Sequence, residues 1–132
     1  MKTETGTSMT HRHSPGFLAM VQAAKGRIRE ISVADYRASE AAGEGLVLVD
    51  VREDHEWARG RIPGAIHLGR GILERDIEQT FGDKQTPLVL YCGGGYRSAL
   101  ACDVLQQMGY THVSSLAGGF RGWTTDGLPV ES

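Results

Sequence analysis

The sequence predicts an α/β protein in which a central parallel sheet of four to five strands is flanked by helices. Strand-like and helix-like segments alternate along most of the 132 residues, which is the order typical of a parallel sheet with crossover helices. Two strand-like segments, 46–50 and 87–92, are nearly continuous apolar runs, as expected of strands covered on both faces. Functional sites in such sheets lie beyond the carboxyl ends of the strands.

The remaining elements follow from local start and stop signals. Ser14-Pro15 begins an amphipathic helix that Gly26 ends, and the alternating segment that follows predicts an edge strand. Ser32 then caps a second helix. The predicted strands are 27–31, 46–50, a short one within 62–68, 87–92 and 112–116. The predicted helices are 16–26, 32–42, a short one before Gly60, 71–81, 96–108 and a short terminal helix or turn from Gly118.

Composition and charge indicate a soluble globular chain. The formal net charge is −2 and 23% of the residues are charged, so nothing predicts binding to nucleic acid or to an anionic membrane. No apolar run reaches the ~18 residues of a membrane helix. The chain has two cysteines, Cys92 and Cys102. If Cys102 lies on the helix after Cys92, the ten-residue separation puts it nearly three turns away, too far for a disulfide. We therefore expect reduced thiols, a cytoplasmic location, and no metal or cofactor.

The chain is expected to hold one domain after a polar N-terminal segment. Residues 1–15 are rich in Thr, Ser, His and charge without an apolar period, which is typical of a mobile tail. Residues 16–26 form the N-terminal helix, which either packs on the domain or contacts a partner. Residues 27–132 form the domain itself.

The chemistry of the sequence is concentrated where the strand 87–92 gives way to the next helix. Cys92 is followed by three glycines, which let backbone N–H groups turn toward one point without strain. Together with the helix N-terminus they form an anion-binding concavity, whose field favours thiolate, the nucleophilic form of cysteine. Arg97 carries a positive charge in the first helical turn, against the helix dipole, and its planar guanidinium suits an oxyanion.

Other interpretations of these residues remain. Cys92 could be an inert buried cysteine at a strand end, although the glycines after it argue against that. Cys102 is expected in the core of the helix rather than as a second reactive thiol. Tyr96 either shapes the mouth of the site or only packs.

Several segments, in this order, resemble the rhodanese family. They are Asp50-Val51-Arg52-Glu53, Gly60 to His67, Tyr91 to Ser98, Leu116 to Phe120, Trp123, and Gly127 to Val130. The resemblance extends from about Ile28 to Val130 and implies a three-layer rhodanese-like sandwich and a single-domain sulfurtransferase of the thiosulfate sulfurtransferase type. One departure is Arg61, where the family usually has histidine.

The resemblance also implies the roles of individual residues. Cys92 would be the nucleophile that forms a persulfide. Asp50 and Arg52 match an aspartate and an arginine near the family's site, and they either contact substrate or form an ion pair that braces the loop. The residues expected to bind substrate are Gly93, Gly94, Gly95, Tyr96, Arg97 and Ser98.

The implied reaction is sulfur transfer through a covalent intermediate. The Cys92 thiolate takes a sulfane sulfur from a donor such as thiosulfate, or a low-molecular-weight or protein persulfide. The sulfur then passes to cyanide or to a thiol acceptor. The expected partners are thus a small-molecule donor and acceptor, with a protein as a further acceptor, and neither nucleic acid nor membrane. The weakly charged, glycine-rich loop leaves the donor open.

Two other functions occur on such folds. Phosphatases and arsenate reductases place a cysteine and an arginine around an oxyanion, but phosphatases of this fold have five residues between them, whereas four separate Cys92 from Arg97. Non-catalytic binding modules of this fold usually lack the cysteine, which is present here.

Overall fold

The computed structural model describes residues 13–132 and confirms the predicted parallel sheet. Its strands are β1 (Arg29–Ile31), β2 (Val47–Asp50), β3 (Ile66–His67), β4 (Leu88–Tyr91) and β5 (Val113–Leu116). All neighbours pair in parallel, and the order across the sheet is β1-β5-β4-β2-β3. The strand predicted at an edge, β1, lies at an edge. The two apolar runs, β2 and β4, lie side by side within the sheet.

Helices cover both faces of the sheet. They are α1 (Pro15–Lys25), α2 (Val33–Ala41), α3 (Asp54–Arg59), α4 (Leu73–Thr80), α5 (Tyr96–Gln107) and α6 (Gly119–Thr125). Helices α4 and α5 pack on one face, and α2 and α6 pack on the other. In residues 13–132, no helix has both the length and the apolar character needed to cross a bilayer.

Strand β4 shows why a doubly covered strand has a continuous apolar sequence. Leu88 and Leu90 belong to the core under α4 and α5, whereas Val89 and Tyr91 belong to the core under α2 and α6. Successive side chains of a strand point to opposite faces, so every position of β4 must be apolar when both faces are buried.

The N-terminal helix α1 packs against α5. Its Val21 and Ala24 are completely buried, whereas Met20 is 62% exposed on the other side. The helix is therefore attached to the domain through one apolar face. Of the tail predicted at 1–15, positions 1–12 lie outside the described residues.

The sheet also fixes where chemistry can occur. Asp50 at the end of β2 is in register with Tyr91 at the end of β4, so Cys92 follows at the same edge. This edge is where parallel sheets place their sites.

Candidate active site

Cys92 lies directly after β4 with its side chain almost completely buried, at 1% exposure. The backbone N–H of Gly95 donates to the Cys92 Sγ at 3.1 Å, and the N–H of Ser98 lies 3.4 Å from it. The Ser98 Oγ is 3.6 Å from the sulfur. The loop thus folds back so that its amides face the sulfur, which is the arrangement expected for an anionic thiolate.

A second hydroxyl supports Ser98 from behind. The Ser98 and Ser115 Oγ atoms are 2.7 Å apart, and both residues are completely buried. Ser115 belongs to β5, whose sequence, Val113-Ser-Ser-Leu, carries two serines in an otherwise apolar strand. A buried hydroxyl needs a partner, and Ser115 finds one in Ser98, so it fixes the rotamer of the group that faces the sulfur.

The pKa of the Cys92 thiol is lowered, although opposing influences act on it. Burial, the largest single influence, raises this pKa because it penalises the charged form. The Ser98 side chain, the N–H groups of Ser98 and Gly95, and the charge of Arg97 lower it, and together they outweigh burial. The cysteine therefore holds more thiolate at neutral pH than a free cysteine would.

The backbone of the loop is fixed by the start of α6. The N–H of Phe120 donates to the carbonyl of Cys92 at 2.8 Å, and the N–H of Arg121 donates to that of Gly93 at 2.9 Å. A Cβ atom on Gly119 would lie 2.4 Å from the Cys92 carbonyl oxygen, so only glycine fits there. Gly95 has φ +104°, a conformation that side chains rarely adopt.

Arg97 is held by a carboxylate that the sequence analysis did not assign to the site. Its guanidinium donates to both oxygens of Glu56, at 2.7 and 3.1 Å. The hydrogen bonds from Arg97 are the largest influence on Glu56 and lower its pKa to about 2. Glu56 also accepts from the N–H of Glu53 as part of the cap of α3. At neutral pH the positive charge of Arg97 is thus compensated within the site.

A cavity of about 530 Å³ opens above Cys92. Its lining includes three aromatic rings that contact one another, here called the aromatic wall: His13, Phe17 and Tyr96. It also includes three charged residues, here called the charged wall: Glu56, Arg97 and Arg121. The remaining lining residues are Cys92, Gly93 and Gly94. A Cβ atom on Gly94 would lie 2.9 Å from an Arg121 nitrogen, so this guanidinium sits against the loop.

Asp50 and Arg52 lie elsewhere. They are not among the described residues that line this cavity. The Arg52 guanidinium binds both Asp50 oxygens, with Nη2 to Oδ2 at 2.8 Å, and donates to the Gly60 carbonyl at 2.6 Å. It also lies 4.2 Å from the centroid of the Phe120 ring. Both charged groups are buried, so the pair links the end of β2 to the Gly60 turn and to α6.

Of the residues predicted for the site, Gly93, Gly94, Tyr96 and Arg97 line the cavity with Cys92. Gly95 and Ser98 lie behind the sulfur and bond to it. The sequence does not predict five other residues of the site: His13, Phe17, Glu56, Arg121 and Ser115. A signal existed for two of them: Glu56 follows Glu53 at capping-box spacing, and Arg121 directly follows the Gly118-Gly119-Phe120 segment.

Both cysteines are free, as their separation in the sequence predicts. Cys102 also lies in the core, as expected. It is completely buried in α5, and burial raises its pKa. Among residues 13–132, no group of three or more His, Cys, Asp or Glu side chains is arranged to hold a metal ion.

Known proteins resemble this chain in sequence and in fold. The family model of the Rhodanese-like domain matches residues 33–126. A sulfurtransferase of Allochromatium vinosum is 39% identical over 87 residues, which are 66% of this chain and 79% of that protein. The thiosulfate sulfurtransferase GlpE of Actinobacillus pleuropneumoniae is 33% identical over 89 residues, covering 67% of this chain and 81% of its own.

A solved structure from Rhodopseudomonas palustris is similar over nearly the whole chain. It is 36% identical, with a TM-score of 0.76, and the match covers 94% of this chain and 100% of the other. That protein is described as one of unknown function and a possible tyrosine phosphatase. The match to the Rhodanese-like model begins after α1. The structural match covers 94% of the chain, which is more than the predicted domain 27–132 contains, so it extends into the N-terminal segment.

Proposed function

This chain belongs to the rhodanese-like domain family, and we propose that it is a sulfurtransferase that carries a sulfane sulfur as a persulfide on Cys92. The observation that carries the proposal is a cysteine at the floor of a cavity with a lowered pKa and two backbone N–H groups aimed at its sulfur. A covalent sulfur carrier needs a thiolate with an open approach on one side, and this geometry supports both.

The proposed reaction has two steps. With thiosulfate as donor, the Cys92 thiolate bonds to the outer sulfur, the S–S bond of the donor breaks, and its electron pair leaves with sulfite. A thiolate or cyanide then attacks the terminal sulfur of the persulfide, and the Cys92 thiolate leaves. No net oxidation occurs in either step. The Cys92 thiolate and the Cys92 persulfide anion each carry one negative charge, so the same backbone amides can stabilise both.

The partners in this proposal are a sulfur donor and an acceptor. Thiosulfate is one donor, supported by the name of the GlpE relative, and persulfides are others; cyanide, a small thiol or a protein thiol accepts. The substrate contacts are assigned to the loop residues Gly93 to Ser98. The two free thiols fit a reducing compartment such as the cytoplasm.

Phosphatase activity is the main competing function, because of the description of the Rhodopseudomonas palustris protein. Two features of this chain favour sulfur transfer instead. Only four residues separate Cys92 from Arg97, one fewer than in phosphatases of the fold. Both terminal nitrogens of Arg97 are engaged by Glu56, so the guanidinium does not offer the two parallel donors that bind a phosphate group.

The test measures the sulfur itself. After incubation of the full chain with thiosulfate and removal of the donor, we expect the intact mass to rise by one sulfur atom. Cyanide should restore the original mass and release an equal amount of thiocyanate. An aryl phosphate should release no phosphate under the same conditions. Phosphate release without sulfur loading would contradict the proposal and favour the phosphatase.

The hydroxyl of Ser98 gives a prediction on pH. Loading of Cys92 requires thiolate, so its rate should rise with pH through the pKa of Cys92 and then level off. In Ser98→Ala, burial still raises this pKa while one of the hydrogen bonds that lowers it is lost, so the midpoint of the rate profile should move to higher pH. Quenched-flow loading across a pH series measures this.

The matched control for this prediction is Ser114→Ala. This change removes a hydroxyl from β5 next to Ser115, the partner of Ser98. Its profile should coincide with that of the unmodified chain. Coinciding profiles for Ser98→Ala and the unmodified chain would show that the Ser98 hydroxyl does not influence the sulfur.

A further inference from the structure

Helix α1 lies before the region that the Rhodanese-like model matches, residues 33–126, yet it reaches the cavity. Phe17 of α1, and His13 just before the helix, line the cavity above Cys92. We infer that this N-terminal segment is a specificity element, which makes organic sulfane-sulfur donors with an aromatic or bulky apolar body better substrates than small inorganic ones. The inference rests on the proposed sulfurtransferase function and names its substrate class.

The aromatic wall is built as one cluster. The ring centroids of His13 and Tyr96 are 4.7 Å apart in an edge-on arrangement, those of His13 and Phe17 5.3 Å, and those of Phe17 and Tyr96 6.2 Å. These are the separations at which aromatic rings attract one another. Tyr96 belongs to the active-site loop, so the cluster connects the N-terminal segment directly to the loop that holds the nucleophile.

The wall is also held in place. Val21 and Ala24, one and two turns after Phe17, are completely buried where α1 packs on α5. The Lys25 Nζ lies 5.2 Å from the centroid of the Tyr96 ring, a cation–π contact. A wall fixed in this way loses little entropy when a ligand binds, which favours affinity for an apolar group.

Size and charge point to the same class of donor. The cavity of about 530 Å³ falls within the roughly 300–1,000 Å³ of pockets that enclose organic ligands, and far exceeds the needs of thiosulfate. On the charged wall, Glu56 already compensates Arg97, which leaves Arg121 as the cation nearest the loop glycines without an ion pair among residues 13–132. A donor with one negative charge and an apolar body fits this balance better than a small dianion.

The chemistry of loading is the same for such a donor. The Cys92 thiolate bonds to the terminal sulfur of a thiosulfonate R–SO₂–S⁻, the S–S bond breaks, and the electron pair leaves with the sulfinate R–SO₂⁻. For an organic persulfide the leaving group is the thiolate R–S⁻. In both cases R lies against the aromatic wall while the transferred sulfur lies at Cys92.

Two donors that differ only in R test the inference. Benzenethiosulfonate and methanethiosulfonate carry the same charge and the same reacting atoms, and single-turnover loading of Cys92 gives a rate constant over Kd for each. We expect the ratio, benzene over methane, to fall about tenfold in Phe17→Ala, the size of effect expected for one lost aromatic contact with its buried area. Intrinsic differences in leaving-group reactivity cancel, because the ratio is compared between proteins.

Met20→Ala is the matched control, since Met20 lies on the same helix but is 62% exposed, and its ratio should equal that of the unmodified chain. Phe17→Leu retains the apolar anchor but removes the ring, so it remains informative if Phe17→Ala does not fold; its ratio should fall about threefold. Circular dichroism checks folding of each variant.

The outcomes separate the inference from the function on which it rests. If both donors load Cys92 but the ratio is the same in all variants, the specificity element is wrong and the sulfurtransferase stands. If Met20→Ala lowers the ratio as much as Phe17→Ala, the effect does not depend on the ring of Phe17 and the aromatic wall as specificity element is wrong. If neither donor nor thiosulfate loads Cys92, both are wrong.

Discussion

Replacing Cys92 by alanine is expected to abolish sulfur loading completely. No other described thiol can take over the reaction, because Cys102 is completely buried and burial raises its pKa. Loss of an essential nucleophile typically lowers turnover by several orders of magnitude, on the order of 10⁶-fold where measured in a serine protease. Intact-mass measurement after incubation with thiosulfate, and thiocyanate release by cyanide, both report the loss.

Cys102→Ala is the matched control, since it removes the other free thiol, which lies in α5 and does not line the cavity. It should load one sulfur atom, as the unmodified chain does. Persistent loading of Cys92→Ala, or loss of loading in Cys102→Ala alone, would move the sulfur carrier away from the loop and contradict the mechanism.

The sheet could be predicted from the sequence because the signals for its strands and helices lie within short segments of the chain. Strand β4 is apolar at every position, and each helix near it has its own stop or cap; the Ser32 Oγ, for example, accepts the N–H of Asp35 at 3.0 Å. Such signals act over a few residues and need no tertiary knowledge. The strand ends were predicted one or two residues too long, because apolar character continues past the last ladder hydrogen bond at positions such as Leu46 and Cys92.

The site was predictable to the extent that it lies on one continuous segment. The cysteine, the three glycines and Arg97 are adjacent in sequence, so their shared geometry could be anticipated. Glu56 and Ser115 are brought to them only by the folding of α3 and β5, at separations of 41 and 17 residues from their partners. The one local signal of Glu56 is its capping-box spacing from Glu53, which indicates a helix cap and not a role in the site. Ser115 has no such signal.

The aromatic wall could not be predicted for the same reason, because folding brings its residues together from distant parts of the sequence. Phe17 repeats with Leu18, Val21 and Ala24 on the apolar side of α1, so the periodicity predicts only packing. The contact of Phe17 with Tyr96 depends on the angle at which α1 crosses α5, which no local pattern encodes. Phe17 therefore lies in a segment outside the family match, and the family motifs do not predict its contact with the active-site loop.

Arg52→Ala is expected to destabilise the fold by about 3–5 kcal/mol, the typical cost of removing one partner of a buried ion pair. The substitution leaves the buried Asp50 carboxylate uncompensated, and the Gly60 carbonyl loses its donor at 2.6 Å. Urea unfolding followed by circular dichroism measures the change. Arg70→Ala removes an arginine from an exposed pair with Glu74 of similar length, 2.7 Å against 2.8 Å, and should cost only about 0.3–0.5 kcal/mol.

A double variant and the loading reaction together decide between the two roles that the sequence left open for Arg52. If the pair braces the fold, the combined Asp50→Ala, Arg52→Ala change should cost clearly less than the sum of the single changes, because the second removal relieves the charge that the first left buried. If Arg52 instead contacts substrate, Arg52→Ala should raise the Kd for thiosulfate while the unfolding midpoint stays in place. Arg52 is not among the described residues that line the cavity, and its guanidinium binds Asp50 and the Gly60 carbonyl. We therefore expect Arg52→Ala to lower the stability of the fold.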